Sequence, residues 1–540
     1  MTRPAAGARH DGHMITAHSA AAVREAEEPL LAAGVPLMDR AAFALATQVA
    51  AELRARGHRV TGSVVLLLVG GGNNGGDALF AGAHLARRGC QVHAALLAGH
   101  VHAGGRAAAR VAGVHLHGLV GEGAPAGDAA AAAVDLARRA GVWVDALTGI
   151  GARGGLREPL AGVVAALAAE RASSPDEPVV VAVDVPSGIG VDDGAVDGPV
   201  LPADVTVTMG TAKPGLLLPP AAALAGRVEV VDLGPDTAPA AATTVCRLLG
   251  ADVGDLWPLP GPADHKYTRG VLGLVAGSQA YPGAAVLAAA GALRTGLGMV
   301  RYWGPETPTA LVHARHPEVV TAHGRVQAWT MGSGIDATAV ARVEEMADHL
   351  RDALAGRVPA VLDAGALTLL HDDTFPDLPA TAVLTPHAGE LAALLTARGE
   401  EATRVAVELA PLRHARLAAE ITGATVLLKG ATTVVVAPDG PAYAQADGTA
   451  WLATAGSGDV LAGILGALLA GYGDALAAET GEEWAGLPAR LGAAAALLHG
   501  RAGRLAAGLP VAGGADHPGT PITALDVAAA VPAAVRTVLP

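Results

Sequence analysis

Cysteine is nearly absent: Cys90 and Cys246 are the two in 540 residues. Neither sits in a Cys-x-x-Cys pair, which excludes a disulfide framework, a thiolate zinc site and a thiol redox motif, and makes a reducing cytoplasm the expected compartment. Aromatic side chains are scarce too, with three Phe, six Trp and five Tyr. The cores must therefore be built from Val, Leu, Ile and Ala, and a base-stacking platform is not expected. Positive charge is the minority: 37 Lys and Arg stand against 51 Asp and Glu, a formal net charge of −14, and the arginines are scattered. Such a field repels a polyanion, so no nucleic-acid partner is expected. Long apolar runs are lacking as well. The N-terminus, with Arg3, Arg9, His10 and Asp11, has no signal core, and the longest apolar stretch, residues 460–472, is punctuated by glycine and well below the roughly 18–20 residues of a membrane span. No membrane association is expected.

What is present is apolar and small. Hydrophobic residues make up 51% of the chain and charged residues 16%, enough to offset the entropy of ordering, and 540 residues predict two to four folding units, with two as the working number. Short aliphatic runs at 64–69, 92–97, 142–144, 179–183 and 205–208 alternate with Ala-rich stretches of helical spacing. Continuous hydrophobicity marks strands buried on both faces, hence a parallel sheet between helices. Residues 17–53 carry apolar positions at helical spacing, broken at Pro29 and Pro36, and read as two helices leading into that sheet. Residues 236–262, rich in Pro, Asp, Ala and Gly, read as a linker. The alternation restarts at 271–275, 299–302, 358–362, 382–384, 424–428 and 433–436. The expected fold class is α/β throughout: a Rossmann-like, three-layer α/β/α domain over residues 1–235 and a second α/β domain over 263–540.

Gly70-Gly-Gly-Asn-Asn-Gly-Gly-Asp77 follows the first of these strands and opens a helix, and Gly70, Gly72 and Gly75 satisfy the dinucleotide fingerprint G-x-G-x-x-G. Glycine lets a backbone approach phosphate closely, and the free N–H groups of a helix start favour an anion. An ordinary dehydrogenase would also carry an acidic residue near the end of the second strand for the ribose hydroxyls, and residues 90–99 offer none. The loop instead holds two amides and a carboxylate, which read either as a ligand site or as a tight turn with Asx caps. Two more polar clusters lie at expected strand ends, Asp145-Ala-Leu-Thr-Gly-Ile-Gly-Ala-Arg-Gly-Gly155 and Asp184-Val-Pro-Ser-Gly188. Strand C-termini of an open parallel sheet line one crevice, so three Asp-bearing loops would converge there. Carboxylate, amide and hydroxyl oxygens suit an alkali or alkaline-earth cation better than zinc, while Asp145 and Asp184 taken singly could equally be caps or satisfied turn residues.

In this order the motifs, followed by Ala203-Asp-Val-Thr-Val-Thr208 and Lys213, resemble the NAD(P)H-hydrate epimerase domain over roughly residues 14–235. The resemblance implies interconversion of the R and S forms of hydrated NADH and NADPH, here NADHX and NADPHX. It implies a substrate site lined by Asn73, Asn74, Gly75, Gly76 and Asp77 and by Gly149, Ile150, Gly151, Ala152, Arg153, Gly154 and Gly155. It further implies that Asp184 binds substrate and is the candidate acid/base, and that Asn74, Asp145 and Ser187 hold a potassium ion, K+. One departure, Asp77-Ala-Leu-Phe-Ala-Gly82, falls on the helix after the loop and is expected to alter packing rather than chemistry.

In the second half, Ala453-Thr-Ala-Gly-Ser-Gly-Asp-Val460 precedes an apolar helical run. Such a loop aims N–H groups at an anion and sets Asp459 at the helix start as a base, which suits phosphoryl transfer to a hydroxyl; alone, it could be a tight turn before a buried helix. Lys429-Gly-Ala-Thr-Thr433 offers a cation, a glycine and two hydroxyls beside nucleotide phosphates, or else forms a surface hairpin with a solvated Lys. Leu384-Thr-Pro-His-Ala-Gly-Glu390 puts His387 and Glu390 on a loop after a strand, where substrate contact is favoured over a structural histidine. With His265-Lys-Tyr-Thr-Arg-Gly270, Ala276-Gly-Ser278, Pro282-Gly-Ala-Ala285, Met331-Gly-Ser-Gly334, Leu362-Asp-Ala-Gly-Ala-Leu367 and His499-Gly-Arg-Ala-Gly503, the ordered series resembles the ADP-dependent NAD(P)H-hydrate dehydratase, a ribokinase-like domain, over about residues 263–540. This implies that Ala284, Gly334, His387 and Asp459 contact the hydrated cofactor. It also implies that Lys429, Gly430, Ala431, Thr432, Thr433 and Gly458 contact the adenine nucleotide, and that cleavage of ADP, bound with Mg2+, drives loss of the ring hydroxyl.

Together the two resemblances imply a bifunctional metabolite-repair enzyme, isomerase and lyase in one chain, whose partners are NADHX, NADPHX and ADP and whose expected assembly is a homo-oligomer. The alternative is a ribokinase-like small-molecule kinase joined to a non-catalytic nucleotide-binding module, because a Gly-Ser-Gly-Asp loop serves both. Residues 1–13 carry no assigned role, and residues 479–490 read as a loop.

Overall fold

The computed structural model describes residues 14–121, 128–174, 177–234, 239, 243–372, 374–478, 486–511 and 517–539. The readings of residues 1–13 and 479–485 fall outside these, and residues 487–490 open the helix Leu487–Ala506 rather than continuing a loop. The chain divides into two compact units, residues 16–244 and residues 245–540, the second taking in Met14 and Ile15 as well. The short strand β1 (Ile15–Ala17) lies where the chain passes from one to the other.

The first unit is built on β2 (Val64–Val69), β3 (Gln91–Leu96), β4 (His115–Gly118), β5 (Val142–Ala146), β6 (Val179–Val183), β7 (Val205–Met209) and β8 (Arg227–Val231). They form one sheet in the order β4-β3-β2-β5-β6-β7-β8, every pair parallel. The interior strands are the aliphatic runs expected from two-faced burial. The edge strands β4 (His-Leu-His-Gly) and β8 (Arg-Val-Glu-Val-Val) are half-exposed and polar, so hydrophobic continuity does not mark them. From β2 the chain works outward through β3 to β4 and then returns to β5 on the other side. The loops leaving β2 and β5 diverge at that reversal, and a crevice opens at their carboxyl ends.

One reading of the lead-in helices is corrected. The helix Ala20–Ala32 runs through Pro29, and the break falls after it, with Pro36 serving as N-cap of the helix Leu37–Ala55. Pro29 is exposed, and its carbonyl accepts the Ala33 N–H at 3.0 Å, so the last turn closes despite the missing donor.

The second unit is built on β9 (Val245–Arg247), β10 (Val271–Val275), β11 (Met299–Trp303), β12 (Ala328–Met331), β13 (Ala360–Leu362), β14 (Ala382–Leu384), β15 (Thr425–Leu428), β16 (Thr433–Val436) and β17 (Ala442–Gln445). These run β9-β17-β16-β15-β14-β13-β12-β10-β11, parallel except where β16 pairs antiparallel with β15 and β17. The linker reading of 236–262 is corrected from residue 245 onward. There β9 pairs with Ala442 and Tyr443, and the helix Gly250–Asp255 brings Val253 into the core. A three-residue strand between Pro- and Gly-rich segments is too short to show a period.

Few aromatics and many glycines shape this core. The helix Ser457–Ala478 packs on Gly283–Thr295 so closely that a Cβ on Gly463 would lie 2.1 Å from the Ala288 carbonyl, and one on Gly291 would lie 2.4 Å from that of Val460. Gly463→Ala is thus expected to destabilise the second unit by about 1–3 kcal/mol, read as a lower unfolding midpoint. The expectation that no apolar segment reaches membrane-span length is revised by the same helix. Its 22 residues are long and apolar enough to cross a membrane, and its most apolar part is largely buried inside the protein, as in the core helix of a globular unit.

Candidate active sites

In the first unit three glycine-bearing loops meet at the crevice. Gly70 and Gly75 are there for close approach: a Cβ on Gly70 would lie 1.9 Å from the Leu147 carbonyl, and one on Gly75 would lie 2.2 Å from the Gly70 carbonyl. The helix Asn73–Arg87 consequently starts directly against the β5 loop, with Asn73 and Asn74 in its first turn. A cavity of about 640 Å³ opens here, walled by Asn73, Asn74, Gly149, Ile150, Gly151 and Ala152 of the expected site. Arg153 and Gly154 line a neighbouring cavity of about 270 Å³. Gly75 and Gly76 are buried packing positions, Gly76 against His102, and Gly155 sits beside Asp197.

The three expected cation ligands join one hydrogen-bond network. The Asn74 amide donates to the carbonyls of Thr148 at 2.8 Å and Val183 at 2.7 Å. The Thr148 N–H donates to Ser187 Oγ at 3.0 Å, and Ser187 donates to Asp145 through its hydroxyl at 2.6 Å and its N–H at 2.8 Å. Asp145 is fully buried, and burial pushes its carboxyl up against the opposing pull of the Ser187 and Leu147 donors.

Asp184 directly follows β6 in the left-handed region, with φ 66°, a conformation that costs a non-glycine residue of order 1–3 kcal/mol and collects at functional positions. Its Oδ1 accepts from the Lys213 ammonium, from Thr208 Oγ1 at 3.1 Å and from the Met209 N–H at 3.2 Å. Lys213 is 1% exposed and also donates to the Met209 carbonyl at 3.0 Å. Asp77 lies nearby, pushed well up first by burial and then by Asp184 and Glu27. A smaller cavity of about 120 Å³ is walled by Asp77, Asp184, Asn73, Asn74 and Glu27.

In the second unit Asp459 stands in the first turn of Ser457–Ala478. Burial and then Asp363 push its carboxyl up to about 7, against the lowering effect of Lys429 and the Ser333 hydroxyl. Lys429 Nζ donates to Asp363 Oδ1 at 2.8 Å and lies 3.8 Å from Glu390. Burial alone would lower the ammonium, and Asp363 and Glu390 reverse that to a net rise, so it stays charged. Asp363 is also bonded by Ser333 at 2.8 Å and Thr385 at 2.8 Å. A Cβ on Gly458 would lie 3.6 Å from Lys429 Nζ, which joins the helix-start loop to the Lys429 loop. Residues 430–432 do form the hairpin between β15 and β16, but Lys429 at its root is paired rather than solvated. Gly334, at φ 68°, packs on Ala284: an added Cβ would lie 2.4 Å from that of Ala284.

His387 is the N-cap of the helix Ala388–Ala397. Its Nδ1 accepts from the N–H groups of Gly389 and Glu390, Glu390 Oε2 accepts its N–H at 2.7 Å, and the side chain is 61% exposed. His499 is buried with Nε2 3.1 Å from Ser457 Oγ, and burial lowers it to about 4, leaving it neutral at pH 7.

Several members of these sites have no role that the sequence alone assigns: Glu27, Lys213, Ser333 and Asp363 among them. Asp363 had a signal, since it follows the strand ending at Leu362 just as Asp184 follows Val183. Glu27 had none, lying on a helix read for its apolar face alone.

Fold and sites together define a two-unit α/β enzyme, with a carboxylate-lined crevice at the strand ends of one unit and a carboxylate near a charged lysine at a Gly-rich helix start in the other. Residues 35–215 match the family model of the YjeF-related protein N-terminus, and residues 272–517 match that of NAD(P)H-hydrate dehydratase. The chain is 43% identical over 464 residues to the bifunctional NAD(P)H-hydrate repair enzyme Nnr of Mycobacterium tuberculosis, covering 84% of this chain and 88% of that protein. It is 46% identical over 226 residues to the NAD(P)H-hydrate epimerase of Clavibacter michiganensis, covering 41% of this chain and 90% of that protein. Among solved structures, the ADP/ATP-dependent NAD(P)H-hydrate dehydratase of Bacillus subtilis, co-crystallised with ATP and Mg2+, is similar at 25% identity and a TM-score of 0.42, over 54% of this chain and 97% of that one. The chain belongs to the bifunctional NAD(P)H-hydrate repair enzyme family.

Proposed function

We propose that the first unit interconverts the R and S epimers of NADHX and NADPHX and that the second dehydrates the S epimer with cleavage of ADP. The observation that carries this reading is the pair of chemically distinct acid–base centres in one chain, Asp184 with Lys213 in one unit and Asp459 with Lys429 in the other. The kinase alternative is not favoured, since the relative from Mycobacterium tuberculosis matches across both halves. Two buried free thiols fit a reducing cytoplasm.

In the dehydratase step Asp459 takes the proton of the substrate hydroxyl as that oxygen bonds the terminal phosphorus of ADP and AMP leaves. Phosphate is a far better leaving group than hydroxide. The ring nitrogen's lone pair then expels it, and loss of a ring proton restores the dihydropyridine. Lys429 and the N–H groups of the 455–458 loop would steady the phosphate charge, with Ala284, Gly334 and His387 toward the ring and residues 430–433 toward the nucleotide. Mg2+ fits as the counter-ion of ADP, held mainly by phosphate and water: no cluster of three or more His, Cys, Asp or Glu side chains able to hold a metal occurs among the described residues, and Asp363 is occupied by Lys429, Ser333 and Thr385.

In the epimerase unit Asp184 exchanges protons at the substrate hydroxyl, its charge balanced by Lys213. The Asp145 network fits K+: a fully buried carboxylate whose bonded partners, Ser187 and Leu147, bring no positive charge, beside hydroxyl, amide and carbonyl oxygens. Asp145, Ser187 and Asn74 would hold the ion, which would supply the missing positive charge. The full chain carrying Asp184→Asn, given an R/S mixture of NADHX with K+, Mg2+ and ADP, is expected to stop near the S fraction while keeping its rate on the S epimer. Full recovery from that variant would contradict the assignment.

A further inference from the structure

Exchanging a hydroxyl between the two faces of one carbon sets a demand that a single carboxyl does not meet. The hydroxyl must leave one face as water, taking a proton, while the ring nitrogen's lone pair forms the C=N bond. Water must then add to the other face, returning the C=N electrons to nitrogen and giving up a proton. Two proton-transfer groups placed around the ring satisfy this.

The first unit offers such a second group. Glu27 lies on the helix Ala20–Ala32 and walls both the 640 Å³ and the 120 Å³ cavities, the second of which it shares with Asp184. The two acidic residues thus wall one cavity from different elements, a helix and the loop after β6. Arg24, one turn earlier on the same helix, donates to the Ile150 carbonyl and pins the helix to the Gly149–Gly155 loop. We propose that Glu27 is a catalytic proton-transfer residue of the epimerase, serving the face of the substrate ring opposite Asp184. This rests on the epimerase reading of the site.

In the R-to-S direction Glu27 gives its proton to the departing hydroxyl and Asp184 takes one from the incoming water; the reverse direction exchanges the roles, and solvent in the open cavity resets both. The groups that face Glu27 are Lys213 and Asp184 from the β6 and β7 ends, Asp77 from the helix Asn73–Arg87, and Arg24 and Glu28 from its own helix. Burial raises its carboxyl first, Lys213 pulls it down and Asp184 pushes it up, with a net rise that favours a carried proton.

The test uses the full chain, whose dehydratase reports the S epimer as it forms. Glu27→Gln is expected to lower kcat for R-epimer consumption by about 10²-fold with KM changed less than threefold, and to abolish one limb of its pH profile. Glu27→Asp should restore part of kcat and the limb, and Glu25→Gln, an exposed change on the same helix, should leave both as they are. Rates on pure S epimer and the unfolding midpoint should be the same in all four proteins. Wild-type kcat in Glu27→Gln, or a lower kcat with both pH limbs retained, would overturn the proposal and leave the epimerase reading standing. No R-epimer consumption by the wild-type chain would overturn both.

Discussion

Asp459→Asn is expected to lower the nucleotide-driven dehydration rate by about 10²–10⁴-fold while leaving R/S interconversion at its wild-type rate. The size follows from the role, since a base that removes the attacking hydroxyl's proton acts only in the transition state, so kcat should fall with little change in KM. The wild-type pH profile should carry the same signature. A base works deprotonated, and Asp459 is pushed up to about 7 by burial and Asp363, so kcat should rise with pH through about 7 and level off above it. Lys429 holds that carboxyl down, so Lys429→Met at saturating nucleotide should move the limb to higher pH. A profile flat from pH 6 to 8 would contradict the assignment.

Lys213→Met should be the most destabilising single change in the first unit, by about 3–5 kcal/mol, because it strands the Asp184 carboxylate in a buried site. Both partners are almost fully shielded, with side chains 1% and 7% exposed, so solvent screening offers little relief. For a unit of this size the unfolding midpoint should fall by roughly 6–20 °C. Asp184→Asn combined with Lys213→Met removes both charges and should recover most of that loss without recovering epimerase activity. If the double variant is no more stable than Lys213→Met, the ion pair is not what holds this part of the fold.

The interior of both sheets was legible because strands such as Val64–Val69 and Val179–Val183 are aliphatic without interruption, a pattern that only two-faced burial explains. The first glycine loop was legible because part of its reason is local: a Cβ at Gly75 would meet the Gly70 carbonyl five positions earlier. The rest depends on convergence from distant segments. Glu27 and Asp184 are 157 positions apart in the chain, and their shared cavity exists only once the helix Ala20–Ala32 lies over the crevice. At Lys429 the sequence leaves a phosphate-side cation and a solvated hairpin residue equally open, because its partner Asp363 sits two strands away in the sheet. The Pro29 misreading has another cause: an exposed proline near a helix C-terminus forfeits one donor without blocking the last turn.

The most direct test is incubation of the full chain with an R/S mixture of NADHX, K+, Mg2+ and either ADP or ATP, following the absorbance of the reduced nicotinamide. The account predicts complete recovery from both epimers, with ADP as donor. Recovery stopping near the S fraction would contradict the epimerase assignment, and a stable phosphorylated product without NADH would contradict the dehydratase one.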